Sequence, residues 1–466
     1  MEKSELSSRR QFLKVSGLAG AASLLPGCAA AAEAKNAAHA KNVIFLVADG
    51  LCHGTVGLAH HWKLRHTNTA LNWIQLFDQD GMRRAYQDTA SASSPVTDSA
   101  AAGSSWGCGQ RVNNGAINTD PTGKALTPIL SYAKKAGKAT GLVSTCRITH
   151  ATPASFATNV ASRNDEDAIA RQYLEREIDV LLGGGARHFK QNKSEGRELN
   201  LLPEFAAKDY QIVKDRSELS AAASAQSRLL GLFSDSHIPY ALDRQQGGGL
   251  KDVPTLPEMF QAALQRLKGM KDGFVLQVEG GRVDHAGHAN DPGAILPEFL
   301  EFDACIPIAL EFLKSNPDTM LIVTTDHGTG GCQLNGIGDA YNGSGPALDQ
   351  FDQFKHSFEW LQNRFRQTGR FNAKDVETAL NITPTKAQGA IVQAALDDEV
   401  KYLSGALGRA FGAQIKELTA VGWSSSKHTG ECVDFFAFGP GSEAVPPFIK
   451  NYEVFGLVAS ALGLNT

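Results

Sequence analysis

The sequence predicts an α/β protein in three layers, with a doubly wound, mostly parallel central sheet and helices on both of its faces. Three continuous apolar runs lie far apart in the chain, and acidic residues or histidines come directly after each run. Continuous apolar runs are typical of strands that are buried on both faces. They cover residues 42–48, 274–278 and 321–325. Because such sheets bind ligands beyond the carboxyl ends of their strands, the residues after the runs are candidate site residues.

Composition limits the classes of protein that fit. The chain has 466 residues, of which 42% are hydrophobic, so it can bury one large core with insertions. Its formal net charge is only -4, and we see no polybasic surface pattern. We therefore do not expect nucleic-acid binding.

Residues 1–40 are predicted to be an export signal and a linker, followed by one domain over residues 41–466. Residues 8–14 contain the paired arginines Arg9 and Arg10, and an apolar stretch that is too short to span a bilayer follows them. This pattern is that of a twin-arginine signal, which exports folded proteins to the periplasm or the cell surface.

Two processing routes stay open at the end of this signal. Residues 25–28, Leu-Pro-Gly-Cys, resemble a lipoprotein processing site, which would attach a lipid anchor to Cys28. Ordinary cleavage among the alanines of residues 29–34 is the alternative. The six cysteines that follow allow fifteen disulfide pairings, and the sequence does not choose among them. They are Cys52, Cys108, Cys146, Cys305, Cys332 and Cys432.

A serine at the start of a helix is the candidate nucleophile. Residues 94–103 predict a loop that becomes a helix, with Thr97 or Asp98 as the N-terminal cap and Ser99 in the first turn. Unpaired backbone N–H groups and the helix dipole favour an anion at that position. An ordinary capped helix would show the same local pattern, so this interpretation depends on the other candidate residues.

Histidines and acids near the strand ends indicate a zinc site. Asp284 and His288 are four residues apart, which places them on one face of a helix. Asp326 and His327 follow a strand, and His428 precedes a further apolar run at residues 433–438. Nitrogen and oxygen ligands of this kind suit zinc. Each residue alone could instead be a capping acid or a buried histidine, but together they favour metal binding.

A second ligand set offers oxygen atoms alone. Asp49 follows the first predicted strand, Glu279 follows the strand at residues 274–278, and Thr152 adds a hydroxyl group. Hard cations such as magnesium prefer ligands of this type. The sequence therefore predicts a magnesium site next to the zinc ligands.

The motifs together resemble those of the alkaline phosphatase family, in the family's order and near its spacings. The resemblance covers about residues 41–440 and is weak over residues 187–230 and 330–420. The matching motifs lie at residues 43–50, 96–101, 143–163, 179–185, 278–288, 325–327 and 428–430.

This resemblance implies metal-dependent hydrolysis of phosphate monoesters through a phosphoserine at Ser99, with Arg163 holding the phosphate. It implies two Zn²⁺ and one Mg²⁺ per chain. One zinc would be held by Asp284, His288 and His428, the other by Asp49, Asp326 and His327, and the magnesium by Asp49, Thr152 and Glu279. Bound zinc would lower the pKa of the Ser99 hydroxyl.

Around these ligands, His150, His285 and Asp98 are expected to support the site without binding metal. Family members carry either Asp with Lys or His with His at the positions of His150 and His285. The resemblance also implies an inserted cap region over about residues 330–425 and is compatible with a homodimer. Helix-forming stretches within this region predict helices at residues 373–380 and 386–400.

Two positions depart from the family pattern. Cys52 stands where many members have glycine, and Thr329 stands where many have a second histidine. These changes leave the ligands in place but alter the groups that orient them, which puts zinc affinity in question. The alternatives to a monoesterase are a phosphodiesterase or sulfatase of the same superfamily, or a non-catalytic exported zinc-binding protein.

Overall fold

The computed structural model describes residues 39–194, 197–223 and 227–466. The twin-arginine segment and Cys28 lie outside these residues. The strands are β1 (Asn42–Val47), β2 (Arg83–Asp88), β3 (Ala139–Arg147), β4 (Val180–Gly184), β5 (Asn192–Ser194), β6 (Arg197–Leu199), β7 (Tyr210–Val213), β8 (Arg228–Leu232), β9 (Phe274–Glu279), β10 (Thr319–Thr324), β11 (Gly328–Thr329), β12 (Gln333–Leu334), β13 (Val421–Gly422), β14 (His428–Thr429), β15 (Val433–Phe438) and β16 (Phe448–Lys450).

Twenty α-helices lie within the described ranges. They are α1 (His53–Thr67), α2 (Asn72–Gln75), α3 (Ser99–Cys108), α4 (Ile129–Lys135), α5 (Ala151–Ala157), α6 (Glu166–Glu175), α7 (Arg187–Lys190), α8 (Leu202–Ala207), α9 (Arg216–Ala222), α10 (Ala241–Gln245), α11 (Leu256–Leu267), α12 (Arg282–Ala289), α13 (Pro292–Asp303), α14 (Cys305–Ser315), α15 (Ser344–Ala347), α16 (Phe358–Thr368), α17 (Ala373–Leu380), α18 (Lys386–Asp397), α19 (Leu403–Thr419) and α20 (Glu453–Ala461).

The central sheet has ten strands in the order β16-β2-β15-β10-β1-β9-β3-β4-β8-β7. Neighbouring strands are parallel, except that β15 is antiparallel to both β10 and β2. β1 lies inside the sheet, and the chain adds strands on both sides of it, as expected for a doubly wound fold. Three short antiparallel pairs, β5–β6, β11–β14 and β12–β13, lie outside this sheet.

The sheet is buried on both faces, which confirms the predicted three layers. Along β1 alternate side chains point to opposite faces. Ile44 and Leu46 belong to an apolar cluster that includes Phe299 of α13. Phe45 belongs to the cluster on the other face and packs on Trp106 of α3, with ring centroids 5.1 Å apart. Both faces therefore carry helices.

The predicted elements are found with small shifts at their ends. β1 ends at Val47, one residue before the predicted end, and β10 begins at Thr319, two residues before the predicted start. The helix predicted at residues 373–380 matches α17. The helix predicted at residues 386–400 ends early, because Glu399 has a φ of 50°, in the left-handed region that a helix does not contain.

Residues between β12 and β13 contain α15–α19, and buried carboxylates of the core hold the start of α16. The backbone N–H of Ser357 donates to Asp243 at 3.0 Å, and that of Phe358 donates to Asp291 at 2.7 Å. Buried backbone N–H groups need such partners. The start of α16 is thereby attached to the core.

The described residues contain neither a disulfide bond nor a helix that could span a membrane. The six cysteines there are all free, five of them buried, so none of the fifteen pairings is formed. No helix in the described ranges has the length and apolar character to cross a bilayer.

Candidate active site

The carboxyl ends of β1, β9 and β10 bring most of the predicted ligands together. β1 lies between the other two strands and is parallel to both, with Val47 opposite Glu279 in the register. Asp49 comes two residues after β1, and Asp326 and His327 come two and three residues after β10. All four site side chains are buried. Parallel pairing therefore makes one cluster of residues that are far apart in sequence.

Asp284 faces two imidazole rings. His288 lies one turn further along α12, and its Nε2 is 3.5 Å from the Asp284 carboxylate. His428 reaches the same carboxylate at 3.4 Å, because β14 pairs with β11 and places His428 opposite Thr329. The Nε2 atoms of the two histidines are 3.0 Å apart. Burial alone would raise the pKa of Asp284, but the facing His288 and His428 hold it well below its usual value.

A second group forms around the His327 ring. Its Nε2 is 3.0 Å from Asp326 Oδ2 and 3.7 Å from Asp49 Oδ1. The other Asp326 oxygen accepts a hydrogen bond from the Gly50 N–H at 3.0 Å, which fixes the carboxylate. Burial, then the neighbouring carboxylates of Asp326 and Asp284, raise the pKa of Asp49 well above its usual value. Converging ligand atoms of this kind suit a divalent cation.

Ser99 is the first residue of α3 and is buried beside this group. Its Oγ is 3.4 Å from His327 Nε2. The helix is capped by Asp98, whose carboxylate accepts from the Ala101 N–H at 2.9 Å and from the Gly115 N–H at 3.0 Å. The prediction of a serine at a capped helix start is confirmed, with Asp98 rather than Thr97 as the cap. The first-turn position is one that favours an anion.

Thr152 and Glu279 complete the oxygen ligand set. Thr152, in the first turn of α5, donates to Asp49 Oδ2 at 3.3 Å, and Ser144 donates to Glu279. Burial raises the pKa of Glu279 to about 7. We call Thr152 and Glu279 the oxygen end of the site. The histidine end is the set Asp284, His288, Asp326, His327 and His428. Asp49 lies between the two ends and is shared by both.

These residues fit the metals that the sequence analysis predicts. In the described part of the chain, three buried carboxylate oxygens have no partner with hydrogen-bond geometry: Asp49 Oδ1, Glu279 Oε1 and Asp326 Oδ2. Buried charged oxygens without partners cost free energy, and a bound cation would satisfy them. One ligand atom from each of Asp49, Asp326 and His327 lies within 4.8 Å of the others, as do those of Asp284, His327 and His428.

Arg163 lies next to the serine helix, in a position set by two contacts. Its Nη1 donates to Asp98 at 2.9 Å, and its Nη2 is 3.1 Å from His150 Nε2. One carboxylate thus caps the helix of Ser99 and also holds the guanidinium group. The two predicted catalytic side chains are brought together through Asp98.

The positions that depart from the family pattern take part in the site. Thr329 donates to Asp284 Oδ1 at 2.5 Å and lies 3.4 Å from His327 Nδ1, so it orients a ligand at the histidine end. Cys52 Sγ lies 3.2 Å from the Thr329 carbonyl oxygen. The sequence analysis left the effect of both changes open. The structure places Thr329 where it can orient Asp284 for metal binding.

His150 and His285 lie together, beside two residues that the sequence analysis did not place in the site. Their ring centroids are 5.5 Å apart, and His237 is 4.3 Å from the His285 ring. Cys146, one of the six cysteines, lies 3.9 Å from His285 Nδ1. His237 lies in the connection between β8 and α10 and follows no strand directly, so no sequence signal singled it out.

Comparisons with other sequences agree with this geometry. The family model described as "Alkaline phosphatase" matches residues 40–464, and the model of the twin-arginine pathway signal sequence matches residues 7–26. Alkaline phosphatase 3 of Bacillus subtilis is 34% identical over 437 residues, which are 91% of this chain and 89% of that protein. The signal match confirms the predicted export route to the periplasm or the cell surface.

Solved structures give the same result. The alkaline phosphatase of Thermus thermophilus superimposes with a TM-score of 0.83 at 34% identity, covering 95% of this chain and 96% of that chain. The cold-active enzyme of a psychrophilic Shewanella species gives a TM-score of 0.74 at 28% identity, covering 90% and 99%. None of the alternative functions is better supported. The chain belongs to the alkaline phosphatase family and is a metal-dependent enzyme that hydrolyses phosphate monoesters.

Proposed function

We propose that Ser99 is the nucleophile of this hydrolysis and carries the phosphoryl group as a phosphoserine. The observation that supports this role is the position of its Oγ, at the start of α3 and 3.4 Å from His327 Nε2, among residues that fit two cations. A serine hydroxyl needs activation to react near neutral pH. Two features of the site would supply this activation. The N-terminus of α3 favours a negative charge on the oxygen, and a cation bound by the ligands around His327 would lower the pKa of the hydroxyl.

The proposed reaction has two displacements at phosphorus. In the first, the Ser99 hydroxyl gives its proton to solvent, a bond forms between Ser99 Oγ and phosphorus, the ester P–O bond breaks, and the leaving alkoxide takes up a proton from solvent. In the second, a water molecule attacks the phosphoserine, and its proton returns to Ser99 as inorganic phosphate leaves. Each step inverts phosphorus, so the two together retain its configuration.

Arg163 is proposed to hold the phosphoryl group during both steps. A guanidinium fork can donate to two non-bridging oxygens at once. Asp98 keeps this group in place through its 2.9 Å contact with Nη1 while it caps the serine helix. His150 contacts Nη2 on the other side. Asp98 and His150 thus act as positioning residues.

The metals are proposed to be two zinc ions and one magnesium ion per chain. When bound, they would neutralise the developing charge on phosphate oxygens and lower the pKa of the serine hydroxyl. Asp284, His288 and His428 are proposed for one zinc, and Asp326 and His327 with Asp49 for the other. Asp49, Thr152 and Glu279 are proposed for the magnesium. The nitrogen-rich and oxygen-only character of the sets supports this division.

Metal analysis of two ligand variants tests these assignments. After gel filtration, His428→Ala should contain one zinc fewer per chain than the wild type, because one imidazole of a three-residue set is lost. Thr152→Val should retain its zinc and lose magnesium. Equal zinc in His428→Ala and the wild type, or unchanged magnesium in Thr152→Val, would overturn the corresponding assignment. Phosphate monoester and diester rates measured on the same samples compare the two substrate classes.

We also propose three features beyond the active site. The inserted region over about residues 330–425 is proposed to cap the site. An ion pair at 2.8 Å between Glu359 of this region and Arg282 of α12 supports this proposal, because α12 also carries Asp284 and His288. A homodimer is proposed and is tested by analytical ultracentrifugation. The lipid anchor at Cys28 remains one of two alternatives, which mass spectrometry of the mature N-terminus separates.

A further inference from the structure

The guanidinium group of Arg282 is buried beside His285, and no step of the proposed reaction uses it. Arg282 is the first residue of α12 and is 1% exposed. Asp284 and His288 lie four residues apart on one face of this helix, whereas Arg282 and His285 lie three residues apart on a neighbouring face. A buried positive charge costs free energy unless other groups compensate it. Arg282 therefore depends on the groups around it.

Two neighbours compensate the charge of Arg282. Glu359, on α16 of the inserted region, forms an ion pair with Nη2 at 2.8 Å. The guanidinium carbon lies 3.9 Å from the centroid of the Tyr240 ring, which is a favourable cation–π distance. Among the described residues, neither Nε nor Nη2 has a partner with hydrogen-bond geometry. Glu359 and Tyr240 thus stabilise the charge but do not receive a directed hydrogen bond.

The directed contact of this guanidinium group is with His285. Nη1 lies 3.0 Å from His285 Nδ1. Because an arginine side chain has N–H donors and no acceptor, Nδ1 must accept this hydrogen bond. The thiol of Cys146, 3.9 Å from the same nitrogen, is also a donor. An imidazole that accepts at Nδ1 carries its proton on Nε2. The contacts therefore hold His285 as the Nε2–H tautomer.

The orientation of His285 bears on the site because the ring adjoins residues of the proposed machinery. It follows Asp284 directly in α12, and its ring centroid is 5.5 Å from that of His150. His150 in turn contacts Arg163, with Nε2 and Nη2 3.1 Å apart. An N–H donor in this neighbourhood serves the site in one fixed direction only if the ring neither turns over nor changes its tautomer.

We propose that Arg282 is a positioning residue of the phosphatase reaction, which holds His285 in one ring orientation with its proton on Nε2, and that Glu359 holds Arg282 in place. The inserted region thereby contributes one carboxylate to the arrangement of the active site. This inference rests on the proposed function, in which His285 supports the oxygen end without binding metal.

Glu359 can be changed without detaching the helix that carries it. The start of α16 is attached to the core by two other acids, because Asp243 accepts from the Ser357 N–H at 3.0 Å and Asp291 accepts from the Phe358 N–H at 2.7 Å. Glu359→Gln should therefore remove the charge that faces Arg282 and leave α16 in position. This variant separates the hold on Arg282 from the attachment of the inserted region.

Nuclear magnetic resonance of the histidine rings reports the tautomer directly. In the full-length enzyme with its metals bound and its histidines labelled with ¹⁵N, His285 should show a protonated Nε2 and an unprotonated Nδ1. The spectrum of His285→Gln identifies its signals. In Arg282→Lys the charge is kept but the planar fork is lost, so Nδ1 loses its fixed donor and a mixture of tautomers should appear. Glu359→Gln should give a smaller change of the same kind.

Arg244→Lys is the matched control for the loss of a buried guanidinium group. Arg244, on α10, pairs with Glu301 at 2.7 Å and donates to the Pro239 carbonyl at 3.0 Å. This control should keep the wild-type His285 signals. Steady-state kinetics on the same enzymes should show kcat/KM lowered by about tenfold to a hundredfold in Arg282→Lys, by less in Glu359→Gln, and unchanged in the control. Zinc contents and heat-unfolding midpoints verify that each enzyme is intact.

Three results would overturn the proposal. They are a wild-type His285 ring protonated at Nδ1, an unchanged tautomer in Arg282→Lys, and an altered tautomer with wild-type kcat/KM. Glu359→Gln decides the last two points where Arg282→Lys does not fold. Ser99→Ala should keep the wild-type His285 signals while it loses turnover, so a failure of the proposed nucleophile and a failure of this inference are observed separately.

Discussion

The histidine end and the oxygen end of the site share Asp49 but differ in charge. At the histidine end carboxylates face imidazoles, and the pKa of Asp284 is held well below its usual value by His288 and His428, against the effect of burial. At the oxygen end Glu279 is buried near the shared Asp49, and burial raises the pKa of Glu279 to about 7. The acids of the histidine end thus have imidazole partners, whereas burial and neighbouring carboxylates dominate at Asp49 and Glu279.

This difference indicates how each end depends on metal. Imidazole and carboxylate can pair with each other before a cation binds, so the histidine end is arranged in advance. Two buried carboxylates repel each other until a cation, or a proton, lies between them. The oxygen end therefore has the stronger electrostatic need for a cation. Its neighbours His150 and His285 are imidazoles whose pKa burial lowers, rather than a third acid. We expect its magnesium to exchange more readily than the zinc ions.

Metal removal should have the largest effect on activity, and adding metals back one at a time should distinguish the requirements of the two ends. Chelation should abolish activity, because both ends lose their cations. Zinc alone should restore part of the activity, and zinc with magnesium should restore all of it. The measurement is the phosphate monoester rate of the stripped enzyme after each addition, with magnesium alone as the control. Full recovery with zinc in magnesium-free buffer would contradict a separate magnesium site.

Substitution of the nucleophile should have the next largest effect and should leave both ends intact. Ser99→Ala should lower kcat by about a thousandfold or more, because the attacking oxygen is lost while every metal ligand remains. Its zinc and magnesium contents should equal those of the wild type. Ser105→Ala is a matched control on the same helix, since the Ser105 hydroxyl donates to the Ala101 carbonyl at 3.0 Å and faces no ligand. A Ser99→Ala enzyme with wild-type kcat would exclude this residue as nucleophile.

The phosphate clamp should give an intermediate effect. Arg163→Lys should lower kcat/KM by about tenfold to a hundredfold, because the ammonium group keeps the charge but cannot donate to two oxygens in a fork. Steady-state kinetics with a simple aryl phosphate measure the change. Arg171→Lys, on α6, is the control and should behave as the wild type. A clamp role is excluded if Arg163→Lys and Arg171→Lys have the same kcat/KM.

A charge change at His150 should have the smallest effect and bears most directly on the oxygen end. His150→Asp should lower the magnesium concentration at half-saturation, because a carboxylate adds negative charge near Glu279 whereas a neutral imidazole adds none. His150→Asn removes the ring without adding charge and controls for that loss. Magnesium titrations of the stripped enzymes at fixed zinc make the comparison. Identical half-saturation in all three enzymes would show that residue 150 does not influence the third metal.

The sequence predicts the ligands well where a short motif encodes them. Asp49, Glu279 and the pair Asp326 and His327 follow strands whose apolar character is visible in the chain, and parallel pairing makes their positions converge. Asp284 and His288 share a helical face because they are four residues apart. In these cases local spacing and one rule of sheet topology are sufficient.

Contacts that depend on the order of distant strands could not be predicted from the sequence. His237 reaches His285 only because β8 and β3 both lie on the same side of β9 in the sheet. Cys146 lies near the carboxyl end of β3, but a single buried cysteine is ordinarily interpreted as a small hydrophobe. Thr329 departs from the family pattern, and only the structure shows that its hydroxyl donates to Asp284.

Acid-quench trapping of the phosphoenzyme tests the central claim, that Ser99 carries the phosphoryl group between the two ends. The wild-type enzyme, mixed with a ³²P-labelled monoester and quenched in acid within milliseconds, should retain label. Mass spectrometry should place the phosphate on the peptide that contains Ser99. Ser99→Ala, with its metals intact, should retain none. Label on another residue of the wild type, or label that persists in Ser99→Ala, would contradict the account.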